Sequence, residues 1–260
     1  MRLTRWPNAA VHKTIERWPR TVSRTTDDAL SNALTGYDDH DDAFAHVGLS
    51  DVNSALPGNP YESVMEVLTD HFDSILAPGF TDYFRTSGVY DRQHSRPKHG
   101  TFAKLFLEDA DYRTKDACKS ILVNGEYRFQ GCEQHNSYAP DGCFERLRKD
   151  DVLVVSIGTT YLICSYLHHL EAKNDVPYMT PKTFDGVIHD DGEEVEIAQT
   201  THYYDGVWSF NKLKLQRHLR EHDAIDQYDL NGLQVFVTSV RDVDELVTEK
   251  LRDDPYYLVT

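Results

Sequence analysis

Residues 151–158, DVLVVSIG, hold the longest apolar run of this 260-residue chain and end in a glycine. A continuous apolar run is typical of a β-strand that is buried on both faces, because a half-exposed strand alternates apolar with polar residues. Strands of this kind belong to sheets that carry helices on both sides. The run is also far too short to cross a bilayer. The stretch therefore predicts a helix-covered sheet and no membrane span.

On both sides of this stretch, strand-like and helix-like segments alternate. Strands are expected within 43–49, 75–80, 119–125, 176–184 and 195–204, helices within 59–76, 99–109, 141–151, 162–171 and 210–223, and a closing strand and helix within 233–251. Such alternation predicts an α/β fold, here a single domain with a central mixed β-sheet covered by helices. We expect this domain to span residues 41–260. Residues 1–40 are expected to form a polar, loosely ordered lead-in.

Charge and cysteine content exclude several classes of protein. The formal net charge is −16, which argues against a nucleic-acid partner and against docking on anionic membranes. The acidic residues are spread along the chain, so a solvated surface, a high-salt habitat and a cationic substrate all remain open explanations. The four cysteines show neither metal-ligand spacing nor a signal peptide before them, so we expect free thiols and a cytoplasmic protein.

The segment CSYLHHLEAKNDVPY, residues 164–178, places two histidines and a glutamate in a predicted helix. On a helical wheel His168 and Glu171 lie about 60° apart on one flank, whereas His169 lies on the other flank. Adjacent histidines diverge by about 100° and cannot share an ion with Glu171, so no metal is expected. His168 and Glu171 form either a functional pair or a boundary histidine beside a surface carboxylate. The core stripe is predicted to contain Leu162, Ile163, Tyr166, Leu167 and Leu170.

Five short motifs, in order, decide between these two interpretations. They are AHVGLSDVNS (45–54), APGFTDYF (77–84), RTKDACKS (113–120), the turn-helix-strand segment 136–158, and SYLHHLEAKNDVPYMTPKTFDG (165–186). Together they resemble the aminoglycoside 3-N-acetyltransferase family, also called the antibiotic N-acetyltransferase superfamily. No single motif is decisive, and the likeness rests on all five in the right order at fitting intervals; the last of them is a His-x-x-Glu helix followed by Val-Pro-Tyr and Lys-x-Phe-x-Gly. The sequence departs from the family motifs at Gly48, Gly79 and Ala117.

The resemblance implies an acetyl-CoA-dependent acyltransferase that acetylates an amine. His168 would be the catalytic general base, with Glu171 as its carboxylate partner or as a contact to the substrate's ammonium group. Thr81, or backbone amides near Gly48 and Leu49, would stabilise the oxyanion. The amine would attack the thioester directly, so Cys164 is not expected to be a nucleophile. The residues that the resemblance assigns to binding of the co-substrate are His46, Gly48, Leu49, Ser50, Arg113 and Ser120.

The resemblance also limits the partners. It implies a small-molecule amine acceptor of the amino-sugar or aminoglycoside class, and no nucleic acid or membrane. Two alternatives stay open: a catalytically inactive protein of the same fold that binds CoA or a sugar, and a metal-dependent hydrolase that uses His168, His169 and Glu171. The oligomeric state also stays open, with a homodimer as one option.

Overall fold

The computed structural model describes Thr14 and residues 21–260, and within them ten strands form two sheets. The strands are β1 (Asp42–Val47), β2 (Ser74–Pro78), β3 (Val89–Asp91), β4 (Tyr112–Arg113), β5 (Ile121–Gly125), β6 (Leu153–Ile157), β7 (Met179–Asp190), β8 (Glu193–Tyr204), β9 (Asp226–Leu230) and β10 (Leu233–Ser239). Seven of them form a central sheet in the order β4-β5-β2-β1-β6-β10-β9. The other three form a small sheet in the order β3-β7-β8.

Most of the segments that connect one described strand to the next contain a helix. The helices of the described residues, from Asp27 onward, are α1 (Asp27–Leu34), α2 (Leu49–Ala55), α3 (Pro60–His71), α4 (Phe84–Ser87), α5 (Thr101–Asp109), α6 (Cys143–Lys149), α7 (Leu167–Lys173), α8 (Lys212–Glu221) and α9 (Val240–Asp253). Helix α3 begins with residues that favour a helix N-terminus. The Asn59 side chain accepts from the Tyr61 N–H as the N-cap, and Pro60 is the first helical residue. None of these described helices has both the length and the apolar composition required to cross a bilayer.

The central sheet is mixed, which confirms the predicted fold class. Strands β2, β1 and β6 are parallel, and β4, β5, β9 and β10 are added antiparallel at the two edges. Every residue of β6 is buried, as the continuous apolar run predicted. Buried side chains cover both faces of the sheet and form two separate core clusters. In β1, Phe44 belongs to one cluster while Ala43 and Ala45 belong to the other.

Ordered structure begins before residue 41. Residues 27–34 of the predicted lead-in form α1, and its Leu30 and Leu34 are buried in the core cluster that also holds Ala43. The Thr26 side chain accepts from the Ala29 N–H and so caps this helix. The prediction of a loose lead-in is therefore wrong for these residues. Residues 1–13 and 15–20 lie outside the described part, and the boundary at residue 41 itself stays a prediction.

The histidine helix is shorter than predicted. It begins at Leu167 with Tyr166 as its N-cap, so Leu162 and Ile163 precede it, although Leu162 is buried in the core as expected. The Ser156 hydroxyl explains the late start, because it accepts from the Ile163 N–H at 3.1 Å and donates to the Ile163 carbonyl at 2.9 Å. Side-chain bonds of this kind compete with helical hydrogen bonds for the same backbone groups.

The small sheet, which the sequence did not predict as a separate unit, is dominated by a long hairpin. Strands β7 and β8 pair over their full twelve residues each. Asp191 and Gly192 connect them with φ values of 50° and 85°, which is the backbone of a type I′ turn. Strand β3 pairs with the other edge of β7 from Val187 onward, directly after Gly186, where a Cβ would lie 2.2 Å from the Gly88 carbonyl oxygen. Glycine is therefore required at position 186 for this pairing.

We expect Gly186→Ala to lower the free energy of unfolding by about 3 kcal/mol, because the new methyl group collides with backbone that cannot move aside without breaking the β3–β7 pairing. Urea denaturation measures the effect. Gly192→Ala is the matched control, since Gly192 has a φ of 85° but nothing within 4 Å of its missing Cβ. It should cost only about 1 kcal/mol. Equal losses in the two variants would contradict the collision.

Candidate active site

His168 and Glu171 form a direct pair on helix α7. The His168 Nδ1 atom lies 3.1 Å from the Glu171 Oε2 atom, at the predicted i, i+3 spacing. The His168 side chain is 28% exposed, whereas that of Glu171 is fully buried. The alternative of a boundary histidine beside a surface carboxylate is therefore wrong. A buried carboxylate orients a histidine that remains accessible to solvent.

Two tyrosine hydroxyls complete the environment of the Glu171 carboxylate. The Tyr178 hydroxyl donates to Oε1 at 2.8 Å, and the Tyr204 hydroxyl donates to Oε2 at 2.8 Å. These bonds compensate the desolvation of a buried carboxylate. Burial and the neighbouring Glu171 charge raise the pKa of Tyr204 well above its usual range. Tyr204 therefore stays protonated and acts as a donor to Glu171.

This arrangement determines which nitrogen of His168 can accept a proton. An ionised carboxylate only accepts hydrogen bonds, so the Nδ1 atom that faces Glu171 carries the hydrogen in the neutral ring. The Nε2 atom then has a free lone pair. A neutral imidazole held in this tautomer, with its Nδ1–H on a carboxylate, is the arrangement of a general base.

Three aromatic residues surround the His168 ring. The rings of Phe210, Tyr204 and Tyr138 have centroids 5.5, 5.9 and 6.4 Å from the imidazole centroid. They come from the segment after β8, from β8 itself and from the segment before α6. The sequence analysis assigned no function to any of them. Among the aromatic residues near His168 and Glu171, only Tyr178 belongs to a motif that the sequence analysis identified, the Val-Pro-Tyr motif.

His169 points away from this site, as the helical wheel predicted. It is 1% exposed, and its Nε2 atom lies 3.4 Å from the Glu145 Oε2 atom on helix α6. The hydrolase alternative required His168, His169 and Glu171 at one ion, and this divergence separates His169 from the other two. Among the residues that the structure describes, no group of three or more histidine, cysteine, aspartate or glutamate side chains is arranged to hold a metal ion.

Two buried histidines make the fold sensitive to acid. Burial lowers the pKa of His46 and of His169 to about 4 each, against 6.5 for an unfolded chain. The unfolded state therefore binds more protons between about pH 6.5 and 4, so each histidine should reduce the free energy of unfolding by up to about 3 kcal/mol as the pH falls through this range. Burial raises the pKa of Asp116 to about 6, which opposes this loss.

A comparison of variants isolates the histidine contribution. Urea denaturation at a series of pH values should show a shallower acid loss for His169→Leu than for the unmodified chain. His94→Leu is the control, because the His94 side chain is 78% exposed, and it should leave the pH dependence unchanged. If the slope of the His169 variant is also unchanged, His169 does not titrate as a buried neutral group.

The segment predicted to hold acetyl-CoA is joined to the histidine helix. At the end of β1, the His46 Nε2 atom lies 2.8 Å from the Ser165 hydroxyl and accepts from the Ser165 N–H at 3.3 Å. Ser165 comes three residues before His168. The carboxyl end of β1 and the segment that leads into α7 are therefore held together by a buried histidine.

Gly48, Leu49 and Ser50 lie directly after β1, at the carboxyl end of this strand, where ligands of α/β proteins bind. A Cβ on Gly48 would lie 2.2 Å from the Gly158 carbonyl oxygen, so the departure from the family serine accompanies a close approach of β1 and β6. Leu49 opens helix α2 and is half-buried, and Ser50 is exposed. Their role in binding the co-substrate stays a prediction.

The predicted co-substrate residues Arg113 and Ser120 are buried together away from solvent. Arg113 is 4% exposed, and its guanidinium donates to the carbonyl oxygens of Gly79 at 2.7 Å and Ser95 at 2.6 Å and to the Ser120 hydroxyl at 3.1 Å. The Ser120 hydroxyl in turn donates to Gly79 at 2.7 Å. These contacts favour a structural role for both residues, in which they hold the loop after β2 in place.

Thr81 and Asp116 are also engaged internally. The Thr81 hydroxyl is fully buried and donates to the Ala117 carbonyl oxygen at 2.8 Å. An oxyanion would have to compete with the Ala117 carbonyl oxygen for the proton of the Thr81 hydroxyl. The role of Thr81 in stabilising the oxyanion stays a prediction. Asp116 accepts from the N–H groups of Cys118 and Lys119 at 2.9 and 2.7 Å, and so closes a turn.

A known protein family matches most of this sequence. The sequence profile described as aminoglycoside 3-N-acetyltransferase matches residues 75–252. The chain belongs to the aminoglycoside 3-N-acetyltransferase family. Members of this family are acyltransferases with acetyl-CoA as co-substrate, as the sequence predicted. A search of curated protein sequences found no match.

Solved structures of similar fold agree with this assignment. AAC-IIIb in a binary complex with CoASH has a TM-score of 0.72 and 14% identity, over 89% of this chain and 97% of that chain. Sisomicin-bound AAC-VIa has a TM-score of 0.69 and 17% identity, over 89% of this chain and 99% of that chain. YokD from Bacillus subtilis has a TM-score of 0.68 and 13% identity, over 88% of this chain and 100% of that chain. At these identities the comparison shows a shared fold.

Proposed function

We propose that this protein transfers the acetyl group of acetyl-CoA directly to an amine of an aminoglycoside or a related amino sugar, with His168 as general base. The observation that carries the proposal is the hydrogen bond of His168 to a fully buried Glu171, which leaves the Nε2 atom of a half-exposed ring free. Relatives of the same fold that were solved with CoASH and with sisomicin support the two substrates.

The chemistry requires a base because an amine is mostly protonated at neutral pH and cannot attack a thioester until one proton leaves. His168 Nε2 takes that proton, and the amine nitrogen then forms a bond to the thioester carbon. When the tetrahedral intermediate collapses, the carbon–sulfur bond breaks. The imidazolium passes its proton to the departing thiolate, and the former amine nitrogen releases one of its two remaining hydrogens as a proton to solvent, so the products are a neutral amide and a thiol. No covalent bond to the protein forms, which agrees with the buried position of Cys164.

Glu171 acts on His168 in two ways. Its carboxylate fixes the tautomer and the ring orientation before the reaction, and it stabilises the positive imidazolium that forms when Nε2 takes a proton. Tyr178 and Tyr204 hold the carboxylate in place through hydrogen bonds to its two oxygen atoms. The base is therefore preorganised by residues that are themselves buried or hydrogen-bonded.

The two substrates would approach His168 from different sides. Acetyl-CoA would bind at the carboxyl end of β1, where His46 links the residues 46–50 to Ser165 and thus to the start of helix α7. The acceptor would pack its ring against the aromatic side chains around His168, since the C–H face of a sugar is apolar. The half-buried ring of Phe210, whose centroid lies 5.5 Å from that of the imidazole, offers such a face, whereas Tyr138 is buried in the core.

Measurement of thiol release from acetyl-CoA tests this function. A panel of aminoglycosides, nucleotide-linked amino sugars and simple amines would be assayed at low and at molar salt, because a chain with a net charge of −16 is a candidate for a high-salt habitat. We expect release that depends on an aminoglycoside or amino-sugar acceptor. Retained CoA binding without amine-dependent release, under conditions where the protein is folded, would instead establish the inactive binding protein.

A further inference from the structure

A second imidazole, that of His202, lies beside the candidate active site. On β8 it comes two residues before Tyr204, whose hydroxyl lies 3.1 Å from the His168 Nδ1 atom. Alternate residues of a strand project from the same face, so His202 and Tyr204 point to the same side of the hairpin. The Tyr138 ring centroid lies 5.9 Å from that of His202 and 6.4 Å from that of His168. The two imidazole centroids are therefore at most about 12 Å apart, the sum of these two distances.

The His202 side chain makes no hydrogen bond within the part of the chain that the structure describes. Its Nδ1 atom is enclosed and has no partner there. Its Nε2 atom is not one of the enclosed atoms, and the residue as a whole is half-buried. The accessible nitrogen of this ring is therefore Nε2. An enclosed polar atom without a hydrogen bond destabilises a fold, so stability does not explain a histidine at this position.

The protonation state of His202 suits contact with a hydroxyl group of a cationic molecule. Burial lowers the pKa of His202, so the ring is neutral at neutral pH and does not repel an acceptor that carries ammonium groups. In a neutral imidazole one nitrogen donates and the other accepts. A sugar hydroxyl can do both, so it can form a hydrogen bond with Nε2 in either tautomer of the ring.

The same face of the hairpin carries further hydroxyl groups beyond His202. Thr200 comes two residues before His202 on β8 and pairs with Thr183 on β7. The hydroxyls of the two threonines are hydrogen-bonded to each other at 2.8 Å, and Thr183 is exposed. From His168 outward, this face thus presents an imidazole and then two hydroxyls. A few placed polar groups of this kind select a hydroxyl-bearing ligand over an apolar one.

We propose that His202 is an acceptor-binding residue, whose Nε2 atom forms a hydrogen bond with a hydroxyl group of the amino-sugar or aminoglycoside acceptor while the reacting amine lies at His168. This role rests on the proposed function, and it adds a residue that distinguishes such acceptors from simple amines. An acceptor of two or more linked rings is long enough to reach both imidazoles. A simple amine is too short to do so and gains nothing from His202. A site that hydrogen-bonds a substrate hydroxyl discriminates against molecules that lack it.

Calorimetric titration of the full chain with sisomicin, without acetyl-CoA, measures acceptor binding separately from acetyl transfer. Sisomicin is the probe because it is bound in the structure of the relative AAC-VIa. At pH 7, His202→Leu should raise Kd by about tenfold, since one hydrogen bond to the ligand is lost. His202→Gln keeps a hydrogen-bonding group of similar reach and should recover most of the affinity. His189→Leu is the matched control, because it removes an imidazole from the same face of the hairpin near its turn. It should leave Kd unchanged.

Steady-state kinetics on the same samples provide a second measurement. His202→Leu should raise KM for sisomicin by about tenfold, with kcat within about twofold and KM for acetyl-CoA unchanged, because His202 contacts neither the base nor the co-substrate. The Tm of each variant verifies that it is folded. Equal sisomicin affinity in His202→Leu and the unmodified chain, an equal loss in His189→Leu, or a fall in kcat with unchanged KM would each overturn this role and leave the proposed function intact. A folded, unmodified chain that binds acetyl-CoA but not sisomicin would contradict the aminoglycoside class of acceptor, and this role with it.

Discussion

His168→Ala is expected to lower kcat for amine acetylation by about 10²–10⁴-fold, the usual contribution of a general base. The alanine removes the only group of this pair that is accessible to a substrate, whereas buried Glu171 and its two tyrosines remain. Affinity for acetyl-CoA should be nearly unchanged, because the residues predicted to hold the co-substrate lie at the end of β1. Steady-state kinetics and a CoA-binding titration measure the two quantities separately.

His94→Ala is the matched control for this variant. It removes an imidazole that also pairs with a carboxylate three residues away along the chain, Asp91 at 3.0 Å, but both side chains of this pair are exposed. Its kcat should stay within about twofold of the unmodified enzyme, since changes at exposed surface positions have small effects. Comparable kcat in His168→Ala and His94→Ala would remove His168 from the mechanism. The Tm of both variants verifies that each is folded.

Glu171→Gln is expected to lower kcat by about 10–100-fold, with a much smaller effect on KM for either substrate. Glutamine keeps the shape of the side chain but removes the negative charge that stabilises the imidazolium. When its NH₂ group faces Nδ1, it also favours the tautomer with the hydrogen on Nε2, which cannot accept a proton. Both effects reduce the amount of competent base without removing the imidazole.

A second histidine–glutamate pair provides the control for this variant. His189 Nε2 lies 3.7 Å from Glu194 Oε2 on the β7–β8 hairpin, where both side chains are exposed. Glu194→Gln should leave kcat unchanged. A decrease in kcat that is equal in the two variants, or a rise in KM with unchanged kcat in Glu171→Gln, would contradict a positioning role for Glu171.

Local sequence patterns predicted most of the elements correctly. The apolar run of β6, the capped start of α3 and the strand-to-helix succession at β10 and α9 all lie where spacing and end signals placed them. These features depend on neighbours within a few residues. The errors occurred where distant groups intervene, as at Leu162 and Ile163, whose helix start is displaced because the Ser156 hydroxyl engages the Ile163 backbone.

The sequence predicted only the part of the candidate site that depends on residues close together in the chain. His168 and Glu171 are three residues apart, and helical geometry alone puts them on one flank. The motif order supplied the family, which the sequence profile confirmed. Neither argument could show that Arg113 and Ser120 are turned inward to Gly79, since only the packed loop after β2 decides where their hydrogen bonds go.

The sequence by itself therefore determined the fold class, the family and the His168–Glu171 pair, because each is encoded by residues close together in the chain or by motifs in order. The tertiary structure alone decided what surrounds that pair. Tyr204 is 36 residues from His168 along the chain and yet its hydroxyl lies 3.1 Å from the imidazole Nδ1. Tyr138 precedes His168 in the chain and Phe210 follows it, and both rings lie near the His168 imidazole. Such contacts depend on how β8 and the loops beside it pack against α7, and local spacing carries no information about that packing.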